Sequence, residues 1–214
     1  MRFRLGLWVL ALGSALPAAA ATRTYVIDSS ASAVQVHVGK SGVFGFAGHT
    51  HEVAAERFAG RVDADPDDLA RSSVELSFDA SGLKVSAPGE PEGDAPKVQE
   101  VMAGPKVLDV SRFPAIRFRS RQVSGRRAAD GAYELQVAGE MSLHGVSRTI
   151  TVPAKMTYLK DKLKARTGKD GDLLVIRADF KIKRSDFGIN PGQMEEKVSD
   201  EIELNLSIAG AAQR

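Results

Sequence analysis

Apolar and polar residues alternate with a period of two along most of the chain. In DLLVIRADFKIKR, Leu174, Ile176, Ala178, Phe180 and Ile182 share one face while Arg177, Asp179, Lys181 and Lys183 share the other. YELQVAGEM repeats the pattern with Tyr133, Leu135, Val137 and Met141, and EIELNLSI repeats it with Ile202, Leu204, Leu206 and Ile208. SVELSF adds Val74, Leu76 and Phe78, and AIRFRSRQV adds Ile116 and Phe118 opposite Arg117 and Arg119. Segments of this kind are half-buried antiparallel strands. Many strands with one wet face are accommodated by a barrel or by a two-sheet sandwich.

One stretch breaks the alternation. SAPGEPEGDAPKVQEVMAGP begins as a turn-rich loop and then sets Val98, Val101 and Met102 at helical spacing before Gly104 and Pro105. It predicts a short helix around residues 96–104, placed over an opening of the β structure. Gly125, Asp130 to Gly131 and Lys169 to Gly171 mark turns, and no low-complexity linker divides the chain.

The first twenty residues follow another rule. Arg2 and Arg4 precede an apolar run from Leu5 to Leu16 and the small residues Ala18, Ala19 and Ala20, the order of a secretory signal peptide cleaved near Ala20 or Ala21. The run is too short for a permanent membrane anchor. The expectation is therefore a leader at 1–20 and one β domain at 21–214, exported to the periplasm or secreted. The 29 basic and 27 acidic residues become 27 of each once Arg2 and Arg4 are removed. That balance gives no reason to expect a nucleic-acid partner. With no cysteine in the chain, disulfides, thiolate ligands and cysteine nucleophiles are excluded together.

Catalytic signatures are missing: there is no G-x-S-x-G, no H-E-x-x-H and no G-x-x-x-x-G-K. The glycines of GKSGVFGFAG fit a tight turn and a bending strand better than a dinucleotide fingerprint. GFAGHTHEV places His49 and His51 two apart, on one side of an extended strand. With His37 as a third ligand the pair would suit a metal ion, and a metal-binding module or metal-dependent enzyme is one reading. A hydrogen-bonding role and ordinary rim histidines are the others, and His144 beside Gly145 reads as a turn residue. Phe44, Phe46, Phe58, Phe118, Phe180 and Phe187, together with Met141, would fill a core or line an apolar cavity. Alternation alone does not separate the two.

YVIDSSASAVQVHV, FAGRVDAD, VLDVSRFPAIRFRS, VAGEMSLHGVSRTITVPAKM, IKRSDFGI and VSDEIELNLSI, in that order, resemble the YceI-like family of exported polyisoprenoid-binding proteins. The likeness spans essentially the whole chain after the leader. Phe113-Pro114, Gly139, Met141, Ser142 and Gly145, and Arg184, Asp186, Phe187, Gly188 and Ile189 carry the family's signatures. The resemblance implies a lipocalin-like antiparallel barrel of about eight strands, an interior that holds a long isoprenoid or similar amphiphile, and no catalysis or cofactor. The aromatic set and Met141 would then line the ligand, and His49, His51 or Arg184 would orient its polar head. A ligand-free structural or stress-protective β domain is the remaining reading. Whether the protein is a monomer or a homodimer is left open.

Overall fold

The computed structural model describes residues 22–40, 50–86, 88, 90, 93–189 and 198–213. The leader expected at 1–20 lies outside the described residues, as do Phe44, Phe46 and His49. The alternating segments form β1 (Arg23–Ile27), β2 (Ala33–Lys40), β3 (His51–Ala55), β4 (Phe58–Ala64), β5 (Ser73–Asp79), β6 (Leu83–Val85), β7 (Ala115–Arg127), β8 (Tyr133–Leu143), β9 (Val146–Leu159), β10 (Gly171–Lys183) and β11 (Val198–Gln213). Every pairing is antiparallel.

Eleven segments make eight staves of a closed barrel. β1 and β2 are one bent stave, broken at Ser29–Ala31, where the Asp28 carboxylate accepts the Ser30 N–H at 3.1 Å. β3 and β4 form a second. β5 and β6 form a third, bent at Ala80–Gly82 where Asp79 accepts the Ser81 N–H at 2.9 Å. Short acceptor side chains supply the bonds that the ladder loses at each bend. Consecutive staves pair in chain order, and β11 closes the ring by pairing with β2 through its first half (Leu204↔Val36) and with β1 near its end (Ala211↔Val26).

The predicted inner faces are inner faces, with one shift. β7 and β8 pair as Phe118↔Met141 and Ser120↔Gly139, but the next pair is Gln122↔Ala138. The extra residue, Arg121, is a bulge that reverses the parity of β7, so Val123 is buried although strict alternation from Phe118 would turn it outward. Gly139 belongs to the same neighbourhood. A Cβ there would lie 2.7 Å from Phe118 Cζ and 2.5 Å from the Arg119 carbonyl oxygen, so glycine lets the Phe118 ring cross the inner wall.

The predicted helix is α1 (Ala95–Ala103), starting one residue early because Pro96 is at home in a first turn. It covers the free edge of β6. The Gln99 side chain accepts the Val85 N–H at 2.9 Å and donates to the Leu83 carbonyl at 3.0 Å, replacing a missing neighbour strand. Met102 packs toward the core, whereas Val101 is exposed. A second short helix, α2 (Leu163–Thr167), buries Leu163 against the start of β10.

Candidate ligand-binding site

The barrel has a base, where Arg23, Ala64, Tyr158 and Gly171 lie, and a rim, where Lys40, Leu143 and Lys183 lie. Between them lies an apolar void of about 110 Å³. Of the 25 described residues that line it, only Ser72 and Arg117 are polar. Val123, Leu135 and Met156 line it near the base, and Phe78, Ile116, Phe118, Ile150 and Phe180 line it toward the rim. Those last five are half-buried, because each presents part of its inward side chain to the void.

The base is sealed by a polar group that alternation had hidden. Asp172 sits on the inner face of β10 and is fully buried. It pairs with Arg23, accepts the Tyr158 hydroxyl at 2.9 Å and accepts the Asp161 N–H at 2.8 Å. Tyr25 packs edge-on against Tyr158, with ring centroids 6.4 Å apart. Burial, then the neighbouring Tyr158 and the Asp172 charge, push the Tyr25 hydroxyl far above the usual tyrosine range. Burial followed by the bond to Asp172 raises Tyr158 in the same direction.

At the rim the sequence signatures meet in space. Asp109, buried and in the left-handed region at φ 44°, accepts from Ser111 Oγ at 3.0 Å, while its carbonyl accepts the Arg112 and Phe113 N–H groups. This turn presents the Phe113 ring to His144, with centroids 5.0 Å apart. His144 also has φ 52°, as a turn residue would. Gly145, at φ 74°, leaves space for the ring, since a Cβ there would fall 2.4 Å from Phe113 Cε1. His144 Nδ1 in turn lies 3.3 Å from the Phe187 carbonyl oxygen. The Phe-Pro, glycine-turn and Arg-x-Asp-Phe-Gly-Ile segments thus form one clasp.

The candidates from sequence fall into distinct places. Phe118, Met141 and Phe180 line the void. Phe58 is buried beside it, stacked on Phe78 at 5.2 Å, and Phe187 is buried in the clasp; neither is among the lining residues. Arg184 is buried with its guanidinium on the carbonyls of Ser199 and Val198, at 3.0 and 3.2 Å. That bonding fixes the entry to β11, a scaffold task. His51 bonds the buried carboxylate of Glu90 at 2.6 Å, and His37 is paired with Glu52. The β2–β3 register sets Val38 opposite His51 and His37 opposite Glu52. Opposed residues share a face and successive ones do not, so His37 and His51 point to opposite sides of the ribbon and do not converge on one ion. Among the described residues there is no group of three or more His, Cys, Asp or Glu side chains placed to hold a metal.

One feature of the wall had no sequence signal. β9 and β10 pair only from Leu159↔Leu173 to Lys155↔Arg177. Pro153, two residues beyond the point where the ladder stops, has no N–H to contribute. Toward the rim the two strands part until the His144–Phe187 contact closes the gap. The resulting side window holds a hollow of about 360 Å³, lined by Arg148, Thr149 and Ile150 on one strand, Lys181, Ile182 and Lys183 on the other, and Asp186, Phe187 and Glu201 on the rim side. Ile150 lines both the hollow and the void.

A closed, up-and-down antiparallel barrel around an apolar interior defines the class: a barrel of the kind that encloses ligands. The YceI-like domain model matches residues 25–210, and the chain belongs to that family. The chain is 26% identical over 151 residues to UPF0312 protein VPA0850 of Vibrio parahaemolyticus, covering 68% of this chain and 69% of that one. It is 31% identical over 107 residues to protein YceI of Salmonella newport, half of each chain. The fold is shared with Burkholderia cenocepacia BcnA, at a TM-score of 0.63 and 22% identity over 86% of this chain and 98% of that one. It is also shared with a Campylobacter jejuni YCEI protein, at a TM-score of 0.60 and 16% identity over 76% and 85%.

Proposed function

We propose that the protein is exported and binds one slender amphiphile, an isoprenoid or another long-chain lipid, as a carrier or store that makes and breaks no bond. The observation that supports this is the void itself, whose lining among the described residues is apolar at 23 of 25 positions. A hydrocarbon tail leaving water for such a lining gains about 0.8 kcal/mol per buried methylene. The buried Asp172 carboxylate at the base already has its own partners, so the tail need not solvate it. The occupant's polar end is accommodated toward the rim, where the lining gives way to charged residues.

The test is displacement of an environment-sensitive apolar dye from the folded, delipidated protein by prenyl alcohols of increasing length. Affinity that rises with each isoprene unit and then levels off is expected. Binding independent of tail length, or no dye binding at all, would count against an enclosed tail.

A further inference from the structure

The side window between β9 and β10 does not look like a packing defect, because of where Arg148 stands. Arg148 is directly opposite Met141 in the β8–β9 ladder and two residues from Ile150. Met141 and Ile150 both line the void, so Arg148 shares the inner face of the wall. It is nevertheless exposed, and it opens into the window hollow. Its guanidinium has one hydrogen bond among the described residues, to the carbonyl of the preceding Ser147 at 3.1 Å, and no ion-pair partner there.

The other charges at the window are arranged differently. Lys181, on the outer face of β10, is held by Glu201 and Glu203, both at 2.9 Å. Lys183 and Asp186 flank it. Two cations against one carboxylate are left once the Lys181–Glu201 pair is set aside, a surplus of one positive charge. A planar donor fork with spare N–H groups, at the point where an apolar tunnel meets water, is suited to an oxyanion.

We infer that the β9–β10 window is the seat of the ligand's head group and that Arg148 holds that head as an oxyanion, a phosphate or carboxylate, while the tail enters the tunnel past Ile150 and Phe180. This rests on the proposed binding of an amphiphile and adds the chemistry of its polar end. Arg184 and His51 are not needed for the task, since their own partners occupy them.

The experiment compares a long-chain prenyl monophosphate with the prenyl alcohol of the same length, both displacing an apolar dye from the full chain and from R148Q and R148K. The wild type should prefer the phosphate by about tenfold, the scale of one charge-assisted contact. R148Q should abolish that preference while still binding the alcohol, and R148K should keep part of it. K183Q, on the outer lip, should lower the preference by a smaller factor. Inorganic phosphate, added alone, should not displace the dye; displacement by it would mean a free-anion site and overturn the inference. Equal binding of the two lipids, unchanged in R148Q, would overturn the head-group inference and leave the tunnel standing. Failure of both lipids to bind would overturn the tunnel and the inference with it.

Discussion

Base and rim of the same barrel solve opposite problems. At the base, Arg23, Tyr158 and Asp172 meet on the inner face, with Tyr25 packed against them, and the buried carboxylate is bonded on both oxygens. Toward the rim, Ile116, Phe118, Ile150 and Phe180 keep apolar surface facing a void, and two neighbouring strands are left unpaired around a window. A void in a packed interior forfeits dispersion contacts, and it is retained where something else fills it. On the proposed reading the base serves stability and the rim half serves occupancy, so substitutions in the two regions should fail in different ways.

The largest effect should come from breaking the base. Asp172→Ala leaves Arg23 and Tyr158 without their shared partner, and a loss of about 3 kcal/mol is expected in urea unfolding; a loss below about 1 kcal/mol would mean that the cluster does not seal the barrel. The clasp comes next. Gly145→Ala combines a left-handed backbone at φ 74° with a Cβ at 2.4 Å from Phe113, and about 2 kcal/mol should be lost. By contrast, Phe118→Asp should reduce prenyl-alcohol affinity by about tenfold or more in protein that still unfolds cooperatively, since it sets a charge in the tunnel. Unchanged stoichiometry and affinity in that folded variant would remove Phe118 from the tunnel.

Two titrations sharpen the contrast at smaller scale. The Tyr25 hydroxyl is raised in the folded protein, so the unfolded chain ionises first as pH climbs past about 10. The stabilising contribution is full below that pH and is lost above it. Tyr25→Phe should therefore flatten the alkaline part of the stability profile, read from thermal midpoints between pH 8 and 11. Asp79, exposed at the β5–β6 bend, is held at about 2 by its bonds to Ser81 and Arg57. Its contribution is present above the ordinary carboxylate range and fades as pH falls toward 2. Asp79→Asn should show a small deficit at neutral pH that disappears in acid.

Much of the barrel was legible because the inner residues of β8, β10 and β11 keep strict alternation over many positions. β7 escaped that rule at Arg121, since a bulge inserts a residue without any change in composition. Asp172 was hidden for a different reason: a charged residue at an inner position reads as the end of a strand until its partners, 149 and 14 residues away, are brought beside it. The histidines depend on register. His49 and His51 share a face on paper, but only the pairing of Val38 with His51 shows that His37 looks the other way. Arg184 was visible as a signature, but its bonds to the Ser199 and Val198 carbonyls were not, because carbonyl acceptors leave no mark in a sequence. The window left least trace of all: how far two strands stay paired depends on twist and on Pro153, and Arg148 looks like any other residue of an alternating strand.

The most direct test of the account is native mass spectrometry of the protein purified from producing cells without detergent, followed by denaturation and organic extraction. The account predicts one bound molecule per chain, released on denaturation and recovered as a long-chain amphiphile. A chain that carries no such mass, and that after isolation binds neither an apolar dye nor any prenyl lipid, would contradict it.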